Sequence, residues 1–312
     1  HLPPHQIQIK DQLTFTNLLH MESGIQWNES YHPTPASNVV DMLFYTGFTN
    51  MGAYTITQPQ ITNPGQVFNY SSGETNIISL ALHESLSNHY ESYPWVKIFK
   101  PLGITSATFE RDLSKSFIGS SNLYMTLRDY TKLGILMLNK GAWGRNQIIP
   151  EEYMTFATSP SRTYAGYGAQ IWLAKNYFSA QGFEGQFILV IPQHKVVIVR
   201  LGRDQKDIVR PNTLVTLALK GLNISMTENE FMDPREPLAP SLPDPIPTIA
   251  ANFQARSLCS CLYVMRQTAN YCENWVKGVV PLQPWKINET FRTIFVYSEL
   301  PNQNILSQAT YQ

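Results

Sequence analysis

The chain reads as an α+β protein, α/β in the looser sense: an antiparallel sheet flanked by helices, with a helical subdomain attached. Three observations predict this. Residues 186–191 and 196–201 are two apolar, β-branched runs joined by Pro192-Gln193-His194-Lys195, which is a hairpin pattern. Their near-continuous apolar character predicts a sheet covered on both faces. Two helical stripes supply the cover. One runs through Leu127, Tyr130, Leu133, Met137 and Leu138, opened by the capping box Thr126-Leu127-Arg128-Asp129 and stopped by Gly141. The other spans residues 213–222 and closes on Gly221. Helices on an antiparallel sheet define the class.

The remaining elements follow in order. Residues 6–10 alternate like a short strand, and Asp11 is placed to cap a helix through Leu13, Leu18 and Leu19 that stops at Ser23-Gly24. Residues 25–62 are aromatic and polar without clean period, a long insertion with one helix near 38–45. Trp27, Tyr31, Phe44, Tyr45, Phe48 and Tyr54 are its cleft-wall or satellite-core candidates. Asn63-Pro64-Gly65 is a turn signal leading through Val67 and Phe68 to Tyr70. Ser71, Ser72, Thr75 and Asn76 are all candidate caps for the amphipathic run Ile77, Ile78, Ala81, Leu82, Ser85 and Leu86. A second short helix completes residues 76–99. A strand end and turn are expected at Phe109-Glu110-Arg111-Asp112, a helix with Pro150 at its first position, and a strand over residues 167–172. Six prolines within residues 233–247 form a semi-rigid linker. Beyond it, residues 249–264 read as a helix running into a strand, and residues 292–298 and 305–311 as a hairpin.

Composition bounds the function. At 312 residues the chain can bury a large core. Lys+Arg and Asp+Glu are each 23, so nothing electrostatic favours nucleic acid or an anionic membrane. No apolar run reaches the roughly 18 residues of a membrane span. The opening His1-Leu2-Pro3-Pro4-His5 carries no signal peptide and lacks an initiator Met, so a trimmed N-terminus is expected. Cys259, Cys261 and Cys272 fall within fourteen residues of an otherwise cysteine-free chain, a hint of an oxidising compartment. They have no His nearby and make a poor zinc set. Asn28-Glu29-Ser30, Asn223-Ile224-Ser225 and Asn288-Glu289-Thr290 match the glycosylation pattern, a match that arises readily by chance.

The chemistry centres on Tyr70, a phenol on a short loop that feeds a buried helix. Such a group moves protons when a neighbouring cation lowers its pKa; otherwise it is a tyrosine packed at a turn. The context favours chemistry. Lys10-Asp11, Leu18-Leu19-His20-Met21-Glu22-Ser23-Gly24, Tyr70-Ser71-Ser72 with Thr75, Lys100-Pro101-Leu102-Gly103-Ile104 and residues 123–130 occur in an order and spacing that resembles the serine β-lactamase-like superfamily. That group holds class C β-lactamases, DD-peptidases, esterases and aminohexanoate-oligomer amide hydrolases. The resemblance covers roughly residues 5–222 and is closest to the amide hydrolase and esterase branch.

The resemblance implies a β-lactamase/transpeptidase-like fold and an acyl-enzyme reaction on a small-molecule amide or ester, without metal or cofactor. It assigns catalytic roles to Tyr70 and Ser72. It places an oxyanion and substrate edge at Ala180, Gln181 and Gly182, within Ser179-Ala180-Gln181-Gly182-Phe183-Glu184-Gly185-Gln186-Phe187. Trp27 and Tyr31 remain candidates for its cleft wall or for satellite core. This edge lacks the Lys-Thr-Gly or His-x-Gly of many relatives, which puts a carboxylate-binding cation there in doubt. A backbone N–H at Ala180 or Gln181 still suits an oxyanion hole. The alternative is that Gly182 and Gly185 only permit a bulge.

The family's Ser-x-x-Lys nucleophile motif is missing. Ser114-Lys115 are adjacent, so their side chains diverge, and the pair is rejected. In the family the motif precedes the segment resembling residues 18–24, a point that falls ahead of His1. Two readings follow: a serine hydrolase whose nucleophile lies on another piece, or a catalytically inactive binding or scaffold protein with the same fold. His20 reads as a capping or core residue. His83 and His89, six apart, point to different helix faces.

The expected organisation is a hydrolase domain over 1–232, a linker over 233–248, and an accessory segment over 249–312. Leu258-Cys259-Ser260-Cys261-Leu262-Tyr263-Val264 with residues 292–311 resembles a short region that stands before the catalytic domain in some relatives, which would make the written order unusual. A true C-terminal accessory domain is the other reading. About sixty residues make a marginal domain, so the hairpin at 292–311 is expected to pack on the core sheet. A periplasmic or secreted location is implied by the resemblance and the cysteines; the oligomeric state is left open.

Overall fold

The computed structural model describes residues 12–31, 37–204 and 209–224, and in the C-terminal segment residues 254–255, 258, 262, 266–277, 285–288, 293–300 and 303–310. The expected strand-like lead-in at 6–10, the cap at Asp11, the proline linker, and Cys259 and Cys261 lie outside the described residues.

The centre is a four-stranded antiparallel sheet in the order β5 (Trp172–Leu173), β6 (Phe178–Gly182), β7 (Gln186–Ile191), β8 (Val196–Arg200). Strands β7 and β8 are the predicted hairpin, paired from Ile191↔Val196 to Phe187↔Arg200. Pro192–His194 form a single 3-10 turn closed by Lys195 at φ +52°. Alternation along β7 sends Phe187, Leu189 and Ile191 to one face, where they pack with Val215 and Leu219. Those two belong to helix α7, Pro211–Gly221. The other face meets helix α5, Leu127–Leu138. Both faces are thus covered, and each fully buried aliphatic there contributes about 1.5–3 kcal/mol. Gly134 lets α5 sit close: a Cβ there would lie 2.5 Å from Val197 Cγ1 and 3.0 Å from Ile188 Cγ2.

Short elements precede and follow that core. Helix α1 is Phe15–Leu19, capped by Thr14 in a reciprocal box with Asn17; the expectation that Leu13 is helical fails because Thr14 takes the cap. The insertion holds α2, Asn38–Phe44, as expected, and also α3, Met51–Thr57, which the sequence reading did not separate. Asn50 caps α3, and the Asp112 carboxylate accepts from Met51 N at 3.0 Å. Helix α4 is Ser72–Leu86. It crosses α3 closely because Gly52 has no side chain: a Cβ there would sit 2.7 Å from Leu80 Cβ. Strands β1 (Thr108–Phe109) and β2 (Leu123–Tyr124) pair, as do β3 (Ala142–Trp143) and β4 (Asn146–Gln147). Helix α6, Glu151–Ala157, starts one residue after Pro150, which is its N-cap rather than its first helical residue.

Two local expectations need correction. Thr126 does cap α5, accepting from Asp129 N at 3.3 Å. The reciprocal half of the box is absent because the Asp129 carboxylate turns to Ser106 Oγ (2.5 Å) and Lys132 (2.7 Å) instead. The strand expected over residues 167–172 shrinks to β5. Gln170 adopts φ +63° and ends extended pairing, leaving Tyr167 as an isolated bridge partner of Trp172.

The aromatic insertion forms a core of its own. Trp27, Val39, Val40, Met42, Leu43 and Met51 are buried together, with Tyr31, Phe44, Phe48 and Tyr54 packed on them. In the C-terminal segment, helix α8 (Ala269–Lys277) precedes strands β9 (Trp285–Asn288), β10 (Thr293–Leu300) and β11 (Gln303–Thr310). The predicted hairpin is β10–β11, in register from Thr293↔Thr310 to Leu300↔Gln303. Among the described residues it forms, with β9, a three-stranded sheet apart from the central one, in pairing order β11-β10-β9. Cys272 is buried and disulfide-bonded.

Candidate active site

Local sequence sets the tyrosine loop. Gly24 holds φ +76°, and a Cβ there would collide with the Thr62 carbonyl at 2.2 Å, so the Ser23-Gly24 turn packs directly on the chain entering the loop. Gly65 N donates to Glu22 O and Asn69 N to Met21 O, at 2.7 and 2.8 Å. Asn69 Nδ2 reaches the Trp27 carbonyl at 3.2 Å. The loop is therefore laced to residues 21–27 before α4 begins. Of the four candidate caps, Ser71 is the one used: its hydroxyl accepts from Glu74 N at 3.2 Å. Thr75 instead donates to Gln170 Oε1 at 2.8 Å, fastening α4 to the segment before β5.

Tyr70 stands against aromatic rings from the central sheet. Its ring centroid lies 5.2 Å from that of Trp172 and 5.9 Å from that of Tyr167. Phe68 fills the same wall, 4.6 Å from Tyr164. Burial, and next the negative charge of Glu29, push the Tyr70 pKa up, and the neighbouring Trp172 side chain only partly offsets them. With its pKa raised, Tyr70 is protonated at neutral pH.

Beside it lies a cluster that sequence reasoning only half found. Ser72, Trp27 and Tyr31 were candidates; the structure brings all three onto Glu29. Its carboxylate accepts from Ser72 Oγ at 2.5 Å, Ser72 N at 2.9 Å, Tyr31 OH at 2.8 Å and Trp27 Nε1 at 2.5 Å. Burial raises the Glu29 pKa, and these bonds, led by Ser72's, pull it back. Burial and the neighbouring Glu29 also raise that of Tyr31. The sequence signal for Glu29 is a lone acid between two aromatics at alternate positions, within the Asn28-Glu29-Ser30 pattern. Gly73 makes the approach possible, since a Cβ there would lie 2.7 Å from Trp27 Cη2 and 2.6 Å from the Thr55 side chain.

The predicted substrate edge is one strand of a hairpin rather than one continuous strand or a bulge. Ala180, Gln181 and Gly182 pair with Ile188, Phe187 and Gln186, while β5 reaches only Phe178 and Ser179. Among the described pairings, residues 180–182 therefore have a strand neighbour on one side only. Glu184 at φ +57° and Gly185 at φ +81° make the turn. By register Gln181 shares the face of Phe187, which packs on α7, and its amide donates to Ser179 Oγ at 2.9 Å. This leaves the backbone of the edge as its hydrogen-bonding resource. One contact ties the edge to the tyrosine loop, Trp172, opposite Ser179, meeting Tyr70, and another ties it to the Glu29 cluster, the Phe183 ring lying tilted against Tyr31 at 4.6 Å.

Two of the described histidines make other contacts. His20 stacks on Phe156 at 4.9 Å, and burial lowers its pKa. His83 stacks on Tyr90 at 4.5 Å and bonds Ser116 Oγ through Nδ1. Among the described residues no group of three or more His, Cys, Asp or Glu is placed to hold a metal ion, and no helix is long and apolar enough to cross a membrane.

The family model described as Beta-lactamase matches residues 1–220. Three solved structures are similar to the chain. A protein described as a 6-aminohexanoate-dimer hydrolase, from Bacillus anthracis, shares 19% identity over 71% of this chain and 66% of its own, with a TM-score of 0.57. The octameric penicillin-binding protein homologue from Pyrococcus abyssi shares 15% over 97% of this chain and 71% of its own, at 0.54. A penicillin binding protein from Bacillus halodurans shares 13% over 69% and 76%, at 0.50. The chain thus spans 66% of the length of the Bacillus anthracis protein. No curated protein sequence matches the chain. At these identities the likenesses speak for the fold, and together with the match across residues 1–220 they give the conclusion that this chain belongs to the beta-lactamase family.

Proposed function

We propose that the protein is a serine hydrolase that cleaves a small-molecule amide or ester through an acyl-enzyme, with Tyr70 as the proton donor to the leaving group. One observation carries this reading. The Tyr70 ring packs on Trp172, which pairs with Ser179 at the start of a strand edge whose residues 180–182 have, among the described pairings, a strand neighbour on one side only. In the proposed step a serine hydroxyl adds to the acyl carbon while its proton passes to the amine of its lysine partner, the C–N or C–O bond breaks as the phenol gives its proton to the departing amine or alcohol, and the phenolate takes the proton back from that lysine. Residues 180–182 would offer backbone N–H groups to the developing oxyanion. Glu29 would fix Ser72 and Tyr31 as the adjoining wall.

The attacking serine and its lysine partner are not among these 312 residues as a Ser-x-x-Lys motif. The test therefore uses protein expressed with the coding sequence upstream of His1. Fluorophosphonate labelling and chromogenic ester and anilide turnover are expected. Tyr70→Phe should lower kcat roughly 10²–10⁴-fold, the usual worth of a general acid, without unfolding the protein. Unchanged turnover in that variant removes Tyr70 from the mechanism. Absence of labelling and of turnover favours a binding protein on the same fold. The reading extends to organisation and place: a hydrolase domain over 1–232, a linker, and an accessory segment over 249–312, in a periplasmic or secreted protein. The disulfide at Cys272 supports that location.

A further inference from the structure

One contact between the C-terminal segment and the rest of the molecule is made by an arginine that also holds the turn of the substrate edge. Arg203 Nη1 donates to the Asn274 carbonyl at 3.0 Å. Asn274 is among the last four residues of α8, whose carbonyls have no partner within the helix. A cation there also faces the negative end of the helix dipole. The same guanidinium donates through Nε to Glu184 Oε2 at 3.2 Å, and the two side chains are only 21% and 12% exposed.

Glu184 is the crest of the β6–β7 turn, and its carbonyl also accepts from Asp204 N at 3.0 Å. The preceding residue, Phe183, is the one tilted against Tyr31. Within its own segment α8 is held from the other side, because Glu273 Oε1 accepts from Trp285 Nε1 of β9 at 3.0 Å. A continuous line of contacts therefore runs from β9 and α8 through Arg203, Glu184 and Phe183 to Tyr31, and on to Glu29 and Ser72.

We infer that Arg203 is a positioning residue through which docking of the C-terminal segment sets the β6–β7 turn, and with it the Ala180–Gly182 edge and the Tyr31 wall. The inference rests on the proposed reading of that edge as part of the acyl site. Arginine suits the role because its planar fork serves two acceptors at a fixed angle; a lysine ammonium is a single point charge on a flexible stem. The pair is largely buried, so removing one partner leaves the other charge uncompensated, unlike an exposed ion pair.

Hydrogen exchange on the full chain tests this without reference to turnover. Arg203→Ala is expected to raise exchange at residues 178–186 and 269–277 together, by roughly ten-fold, while residues 127–138 in α5 stay as in the unaltered protein. Arg203→Lys should restore one of the two segments but not both. Glu184→Gln is the milder variant, readable even if the alanine variant fails to fold, and should loosen both segments in the same direction. Loosening of α8 with an unchanged turn, or of the turn with an unchanged α8, overturns the inference. Because exchange is the readout, failure here is distinguishable from failure of the hydrolase reading.

Discussion

Glu74 offers the sharpest test of the electrostatics behind the tyrosine loop. It lies in the first turn of α4, 1% exposed, accepting from Ser23 Oγ at 2.6 Å through one oxygen. The helix N-terminus favours its ionised form by at most about 2 kcal/mol. Burial outweighs that and raises its pKa from 4.5 to about 8. The sign follows directly. The native state keeps a proton that the unfolded chain releases above about 4.5, so this group's contribution is fully present below that pH and is lost as pH rises through about 8. At about 1.4 kcal/mol per unit, the loss is on the order of 4 kcal/mol. Glu74→Gln cannot ionise. Urea denaturation of both proteins from pH 5 to 9 isolates the group, since other titrations cancel in the difference. Wild-type stability should fall relative to the variant across this range. Parallel profiles would refute the reasoning, showing that Glu74 ionises in the folded protein as readily as in the unfolded chain.

Glu29→Ala strips four donors of their acceptor, and at about 1–3 kcal/mol for each group left buried and unsatisfied a loss of roughly 2–4 kcal/mol is expected after partial rehydration. Urea midpoints with Trp fluorescence will measure it, and a loss under about 1 kcal/mol would show that the carboxylate does not organise the cluster. Gly73→Ala should destabilise by roughly 1–3 kcal/mol, although alanine is the better helix former by about 1 kcal/mol, because its Cβ meets Trp27 and Thr55; a neutral or stabilising result in thermal unfolding would contradict the close packing. Gly134→Ala should likewise lower the thermal midpoint through Val197 and Ile188, and an unchanged midpoint would mean that α5 rides higher on the sheet.

By itself the sequence determined the sheet's central hairpin, its two covering helices and the tyrosine loop. Each of these is written in local periodicity or in a turn residue: apolar runs at 186–191 and 196–201, a stripe ending at Gly141, Pro64-Gly65 before Tyr70. The hairpin β10–β11 was legible for the same reason. Short elements with little period were not, as with α3 and the truncated β5, whose ends are set by Asn50 and by the φ of Gln170. Tertiary structure alone decided which of four hydroxyl or amide residues caps α4, and that Glu29 gathers Ser72, Tyr31 and Trp27. It also decided that Trp172, a hundred residues along the chain, packs on Tyr70, and that Arg203 links α8 to the edge of the site. A carboxylate's partners and the burial that tunes a phenol come from chain segments far apart in sequence. Periodicity reports which face of an element is buried, but not which distant side chain it will meet there.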